Sequence, residues 1–235
     1  MSSNHTTARS ELIATIDGPV AAGKTSCARL LAARLGWVLL DTGAIYRAVA
    51  LAAKLGGQDW HDENSMGRLA AALEISFGMR RGLPVVLLGR NDVSEAIRTQ
   101  EISQGASLVS AHPAVRRALL SVQRRYAEST DVVAEGRDTG TVVFPRADYK
   151  FFLDAEPEIR ARRRLTELRA RGASASYTEV LAELQERDKR DSSRSVAPLT
   201  PAIDAVRIDS SQLDVETVVS RMQGVIAADR SGGHS

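Results

Sequence analysis

The stretch Gly18-Pro19-Val20-Ala21-Ala22-Gly23-Lys24-Thr25 fits the spacing G-x-x-x-x-G-K-[ST] and constrains the fold more than any other part of the chain. It follows an apolar run, Leu12 to Ile16, and precedes a helical pattern, Lys24 to Leu35, the two flanking contexts that a phosphate-binding loop requires. Its glycines let the backbone curl so that successive N–H groups point inward at phosphate oxygens, and the helix start adds partial positive charge. Lys24 is then placed to reach the β- and γ-phosphates of a nucleoside triphosphate, and the Thr25 hydroxyl to ligate Mg²⁺. The competing reading is a strand-turn-helix whose glycines only form the turn.

The rest of the chain continues the pattern that the loop begins. Leu12 to Ile16 reads as a buried parallel strand, and the helix after the loop carries Cys27, Leu30, Leu31 and Leu35 at helical spacing, with Gly36 as a stop. Trp37 to Leu40 is a second strand ending in Asp41-Thr42-Gly43, and a helix follows over Ala44 to Leu55, closed by Gly56-Gly57. This is βαβα, the opening of a parallel sheet with helices on both faces. Between Gln58 and His112 the pattern changes to a helix near Met66 to Leu73, two β-like runs (Glu74 to Phe77, Pro84 to Leu88) and a helix over Glu101 to Val109, a small α+β insertion. The parallel pattern then resumes, with a helix over Ala114 to Tyr126 and strands over Asp131 to Ala134, Tyr149 to Leu153 and Ala205 to Ile208. Further helices are expected over Glu156 to Arg171, Thr178 to Lys189 and Asp214 to Ala228.

The expected organisation is therefore a core over 11–57 and 113–228, an insertion over 58–112, a lid segment over 156–192, and disordered tails over 1–10 and 229–235. Composition bounds the function classes. At 235 residues, 43% hydrophobic and 26% charged, the chain buries a proper core, and no apolar run approaches the ~20 residues needed to span a bilayer. The polar first ten residues lack the apolar stretch of a secretory signal, and the lone Cys27 has no disulfide partner, so a cytoplasmic protein is expected. A net charge of +2 is too small to argue for nucleic-acid binding.

A phosphate loop alone does not separate a kinase from a GTPase switch or a motor. N-K-x-D is absent, the only D-x-x-G is Asp229 to Gly232 near the C-terminus, and a large motor would need more chain. A small phosphotransferase remains, and it must hold an anionic acceptor opposite the triphosphate. Positive charge is concentrated where such an enzyme needs it, in Arg160, Arg162, Arg163, Arg164, Arg169 and Arg171, and in Arg187, Lys189, Arg190 and Arg194. Joined by a Gly-Ala-Ser linker, these two helices read as a lid that closes over phosphates and excludes water. By itself such a run is also the pattern of a solvated helix face.

Several blocks in order give a more specific likeness. Ile16-Asp17-Gly18-Pro19, Leu40-Asp41-Thr42-Gly43-Ala44-Ile45-Tyr46-Arg47, Ile97-Arg98-Thr99-Gln100-Glu101, Gly136-Arg137-Asp138-Thr139-Gly140 through Pro145, and Glu186-Arg187-Asp188-Lys189-Arg190-Asp191 through Leu199 resemble the bacterial cytidylate kinases, of the nucleoside monophosphate kinase group, over nearly the whole chain. The resemblance implies a P-loop kinase fold with a nucleoside-monophosphate-binding insertion and an arginine-rich lid. It implies ATP on Gly18, Pro19, Val20, Ala21, Ala22, Gly23, Lys24, Thr25 and Ser26, with Mg²⁺ as cofactor. It places the acceptor's phosphate on Thr42, Arg47 and Arg137, cytosine on Ser107, Arg116 and Asp138, and the pentose on Arg187 and Asp191. Lys24, Arg163 and Arg194 serve the transferred phosphoryl group in this scheme, and the expected assembly is a monomer acting on ATP and CMP or dCMP.

Two departures stand out. Val20 and Ala21 fill loop positions where the family more often has Ser, Ala or Gly, and Thr25 and Ser26 offer two hydroxyls for one metal contact. Kinases of UMP, AMP or shikimate, and a nucleotide-sensing module without catalysis, are the alternatives.

Overall fold

The computed structural model describes residues 11–80 and 83–232. In chain order it contains β1 (Ile13–Asp17), α1 (Lys24–Leu35), β2 (Val38–Asp41), α2 (Thr42–Leu55), α3 (Glu63–Ala72), β3 (Ile75–Arg80), β4 (Leu83–Leu88), β5 (Asn91–Asp92), α4 (Gln100–Val109) and α5 (Pro113–Arg125). There follow β6 (Val132–Gly136), β7 (Tyr149–Asp154), α6 (Pro157–Ala170), α7 (Tyr177–Ser192), β8 (Val206–Asp209) and α8 (Val215–Gly232).

Five strands form a parallel sheet in the order β2-β6-β1-β7-β8. Alternation of side chains along each strand sends residues to opposite faces, and the cores divide accordingly. On β6, Val132 and Ala134 join one apolar cluster with α2, α4 and α5, while Val133 joins another with α1 and α8. On β1, Ala14 and Ile16 belong to the α1–α8 side, which turns Thr15 and Asp17 to the opposite face. The phosphate-binding fold class expected from the sequence is the observed one: a P-loop α/β layer flanked by helices on both faces.

The order in which strands are added reverses at β1. The loop after it leads through α1 to β2, two places away, while β7 lies on its other side, so a crevice opens at the carboxyl end of the central strand. Register brings the strand ends to one level: Asp17 lies beside Gly136 and Phe152, and Asp41 beside Glu135. The segment between α2 and α5 carries a three-stranded antiparallel sheet, β3-β4-β5. Met66, Ile75, Val86, Ile97 and Ile102 of this segment share one apolar cluster with Leu40, Ile45 and Val132 of the main layer.

The helix pair α6 and α7 has a smaller core. Ala161, Leu168, Val180 and Leu184 are buried there, with Val20 of the phosphate loop packed against them. A few such side chains, at ~1.5–3 kcal/mol for each large one, leave this pair easier to open than either face of the sheet. Helix α7 is started by a capping box, Ser176 accepting from the Glu179 N–H and Glu179 from the Ser176 N–H.

Some features depart from the sequence reading. Helix α2 begins at Thr42 rather than Ala44, because Asp41 caps it by accepting from the Ala44 N–H at 2.9 Å. A single π-helical turn over Thr139–Val143 follows β6, where the sequence reading assigned no element. Helix α8 passes Gly224 and runs on to Gly232 instead of stopping at Ala228, since Asp229, Arg230 and Ser231 include no Pro or Gly, so residues 229–232 are helical rather than part of a disordered tail. The expected tail at 1–10 and the last residues, 233–235, lie outside the described residues.

Candidate active site

The loop between β1 and α1 has the backbone that its sequence requires. Gly18 stands at φ 147°, and a Cβ there would lie 1.9 Å from the Leu153 carbonyl oxygen, so only glycine lets the loop rest on the end of β7. Gly23 caps α1 in the left-handed region, and Ala21 occupies the same region at φ 61° without being glycine. Lys24 is buried, and its Nζ donates to the Pro19 carbonyl at 2.6 Å. Burial, reinforced by the nearby Arg137 guanidinium, brings its ammonium pKa down to about 7.

Above the loop lies a cavity of about 180 Å³. Its charged lining includes Lys24, Arg47, Arg137, Arg164 and Arg187 against Asp41, Glu135 and Glu167. Arg187 shows the imbalance most clearly: burial first, then Arg137, brings its pKa down to about 10, and its Nε is buried with no hydrogen-bond partner. Guanidiniums crowded in this way have too few carboxylates to neutralise them. A bound polyanion would supply the missing charge.

Next to this cavity is a second, of about 70 Å³, lined by Thr42, Tyr46, Ser110, Arg116, Asp138, Asp191 and Arg194 among others. Gly43, Arg47, Gly136, Arg137 and Arg187 line both, so the two cavities share one wall of arginines. Arg47 is held there by Asp41, at 2.7 Å. Arg116 pairs with Asp138 through Oδ2, donates to the Ser110 carbonyl at 3.1 Å, and lies over the Tyr46 ring with 5.5 Å to its centroid. Asp191 is buried, and although burial raises its pKa, Arg137, Arg194 and Arg187 hold it below the ordinary carboxylate range. It accepts from Arg137 Nε at 3.0 Å and also from Arg194.

The structure thus brings together most residues named from the sequence, with particular differences of placement. Gly23, Lys24, Thr25, Ser26, Val20 and Ala21 line the first cavity; Thr42, Arg116, Asp138, Asp191 and Arg194 line the second. The Thr42 hydroxyl donates to the Glu135 carbonyl at 2.7 Å, and it would have to turn its O–H away from that carbonyl to donate to a phosphate. Ser107 does not line the second cavity: it is buried and faces a separate cavity of about 240 Å³, where its hydroxyl accepts from Arg190 of α7 at 2.9 Å, while Ser110, three residues on, reaches the second cavity's lining. Arg163 is not at the first cavity: it donates to the Ser210 hydroxyl at 3.0 Å and carbonyl at 2.6 Å, and Ser210 in turn donates to the Ala22 carbonyl of the loop. The neighbouring Arg164 lines the cavity instead.

Sequence reasoning missed Asp17, Asp41, Tyr46, Ser110, Glu135 and Arg164. Asp41 and Asp17 stood in the quoted blocks as end-of-strand carboxylates, a signal that could have marked them. Glu135 is buried, with a carboxyl pushed up to about 7 by burial and then by Asp41, and its Oε1 has no hydrogen-bond partner. The Thr25 side chain hydrogen-bonds to it. No group of three His, Cys, Asp or Glu side chains suited to a metal occurs among the described residues. A hydroxyl beside an under-satisfied carboxylate nevertheless suits Mg²⁺, which takes one or two protein oxygens and completes its shell with phosphates and water.

A family model described as cytidylate kinase matches residues 14–228. The chain is 47% identical over 218 residues to the cytidylate kinase of Stutzerimonas stutzeri (strain A1501), covering 92% of this chain and 95% of that one. It is 50% identical over 206 residues to the cytidylate kinase of Pseudomonas aeruginosa (strain LESB58), covering 87% and 90%. A solved structure of an uncharacterized protein from Eubacterium ventriosum ATCC 27560 is similar with a TM-score of 0.50 at 11% identity, over 92% of this chain and 99% of that chain, a likeness of fold alone.

Proposed function

The chain belongs to the cytidylate kinase family, and from that premise we infer that it transfers the γ-phosphoryl group of ATP to CMP or dCMP, giving CDP or dCDP and ADP. The observation that carries this reading is the shared arginine wall: one cavity holds the phosphate loop, the other holds a polar base-sized recess, and Arg47, Arg137 and Arg187 stand between them. An acceptor phosphate on one side and a γ-phosphate on the other would meet at that wall.

In this reading 11–57 and 113–228 form the kinase core, 58–112 the acceptor insertion and 156–192 the lid. Residues 18–26 bind ATP, with backbone N–H groups and Lys24 on its phosphates. Mg²⁺ would be held by Thr25, with Glu135 behind it, and when bound it offsets charge on the β- and γ-phosphate oxygens. Thr42, Arg47 and Arg137 bind the acceptor phosphate, and Arg187 with Asp191 the pentose. An anionic acceptor oxygen attacks the γ-phosphorus in line as its bond to the β-phosphate bridging oxygen breaks, and ADP departs. The nucleophile is already ionised, so no side chain need act as general base. Arg164, Arg187 and Arg194 are the candidates to spread over the transferred group once the lid settles, with Arg163 supporting the loop from behind.

Cytosine presents an N4 amino donor beside N3 and O2 acceptors. Asp138 retains Oδ1 for the donor while Arg116 and Ser107 offer partners to the rest, and uracil, lacking that donor, would leave the carboxylate oxygen unmatched. Acceptor-dependent ADP production across CMP, dCMP, UMP, AMP and shikimate tests the reading, with CMP and dCMP expected to lead. No preference among them would overturn it, and ADP formation independent of acceptor would favour a nucleotide-sensing module. Asp138→Asn is expected to shrink the CMP preference over UMP by ten-fold or more, whereas Lys24→Ala lowers both reactions alike; equal ratios in the two variants would sink the base assignment.

A further inference from the structure

Asp17 is the last residue of β1 and directly precedes the phosphate loop, yet its side chain faces away from that loop's helix. Strand alternation turns it to the face of the sheet that carries the turn after β6. There it is 4% exposed and accepts three hydrogen bonds: from Thr139 N at 2.9 Å and Thr139 Oγ1 at 2.7 Å on Oδ1, and from Gly140 N at 2.8 Å on Oδ2. Those donors open the π-helical turn that starts immediately after Asp138. Burying a carboxylate without a cationic partner is costly unless donors saturate it, and here two backbone N–H groups and a hydroxyl do so. The turn is also closed on the other side, since a Cβ at Gly140 would lie 2.8 Å from Thr15 Oγ1 and one at Gly136 2.5 Å from Thr42 Oγ1.

We propose that Asp17 is a positioning residue that sets Arg137 and Asp138 relative to the phosphate loop, so that one strand end holds the donor site and the acceptor site in register. Its backbone carries Gly18, the first residue of the loop, and its carboxylate carries the turn bearing the base-reading Asp138 and the bridging Arg137. The proposal rests on the reading that Asp138 faces the acceptor base. Its content is that the side chain of a donor-strand residue governs acceptor recognition and leaves ATP binding to the backbone.

Asp17→Asn is the informative change because it keeps size and shape. An amide offers one acceptor oxygen and one NH₂ group, so in either orientation the NH₂ faces a backbone N–H, of Thr139 or of Gly140. The turn must then shift. Thr139→Val is the milder companion, removing only the hydroxyl's hydrogen bond and leaving both backbone bonds.

The test measures kcat/KM for CMP and UMP together with the dissociation constant for ATP, on the full chain. Wild type is read first, and absence of a CMP preference there would overturn the functional reading and this proposal together. Given that preference, Asp17→Asn is expected to raise the KM for CMP and to lower the CMP-to-UMP ratio about ten-fold, with the ATP dissociation constant within three-fold of wild type. Thr139→Val should move the same quantities in the same direction by a smaller factor, and it carries the test if Asp17→Asn does not fold. An unchanged CMP-to-UMP ratio, or ATP affinity falling as far as CMP affinity, would overturn the proposal, since either marks a residue that only supports the loop or the fold.

Discussion

Lys24 bonded to the Pro19 carbonyl and brought to about 7 by burial has a consequence that can be read in protons. At pH 8 most of its population is neutral before ATP binds, and pairing with the phosphates favours the charged form. Glu135, pushed up to about 7 by burial and Asp41, titrates in the same range, and the Lys24→Met variant separates the two groups. ATP binding at pH 8 is therefore expected to take up close to one proton, measured by titration calorimetry in buffers of different ionisation enthalpy, and affinity should weaken as pH rises through 7 and beyond. Lys24→Met should abolish the uptake; uptake persisting in that variant would assign the proton to another group. Residues differ in how far the chain text reveals them. Lys24 was legible because the loop's chemistry fixes its spacing, whereas Glu135 was not, since only its place at the end of β6 beside Asp41 and Thr25 makes a carboxylate there notable.

Within α6, neighbouring arginines are divided by helix geometry rather than by composition. One step along a helix turns a side chain by about 100°, so Arg163 and Arg164 cannot share a target. Arg163 faces Ser210 at the end of β8 and, through it, the Ala22 carbonyl, while Arg164 faces the first cavity. Arg160 ties α6 to α7 and to the phosphate loop, with Asp188 of α7 at 2.7 Å and the Val20 carbonyl at 3.3 Å. Arg164→Ala is expected to lower kcat by ten-fold or more, in line with the loss of one charge-stabilising donor at a phosphoryl group. Arg163→Ala should lower kcat less and act on ATP affinity through the loop. Steady-state kinetics of the two variants check this, and the reverse order would return the phosphoryl contact to Arg163. Sequence reading recognised the arginine-rich helix but could not assign its arginines, because seven of its fourteen positions are charged and spacing alone does not say which of them meets a cavity.

At the scale of the whole molecule, the two cavities share Arg47, Arg137 and Arg187 in their linings, so in the proposed reaction both phosphate groups would meet one set of charges. A single compound joining adenosine and cytidine through a polyphosphate bridge should then bind at least 100-fold more tightly than ATP, because the second half binds at the effective concentration set by the first. Titration calorimetry measures it, and an affinity no better than that of ATP would mean that the cavities are not simultaneously accessible. The sequence by itself determined the phosphate loop, the parallel α/β layer and the order of the strand-end blocks, because these depend on local spacing: glycines at tight turns, apolar runs at buried strands, helical periodicity beside them. Only the tertiary structure decided which arginine reaches the cavity and which carboxylate clamps the turn after β6. Those outcomes rest on strand order and register, which set Asp17 beside Gly136 and Asp41 beside Glu135 although more than ninety positions separate each pair along the chain. No spacing rule acts over that distance; packing of the sheet does.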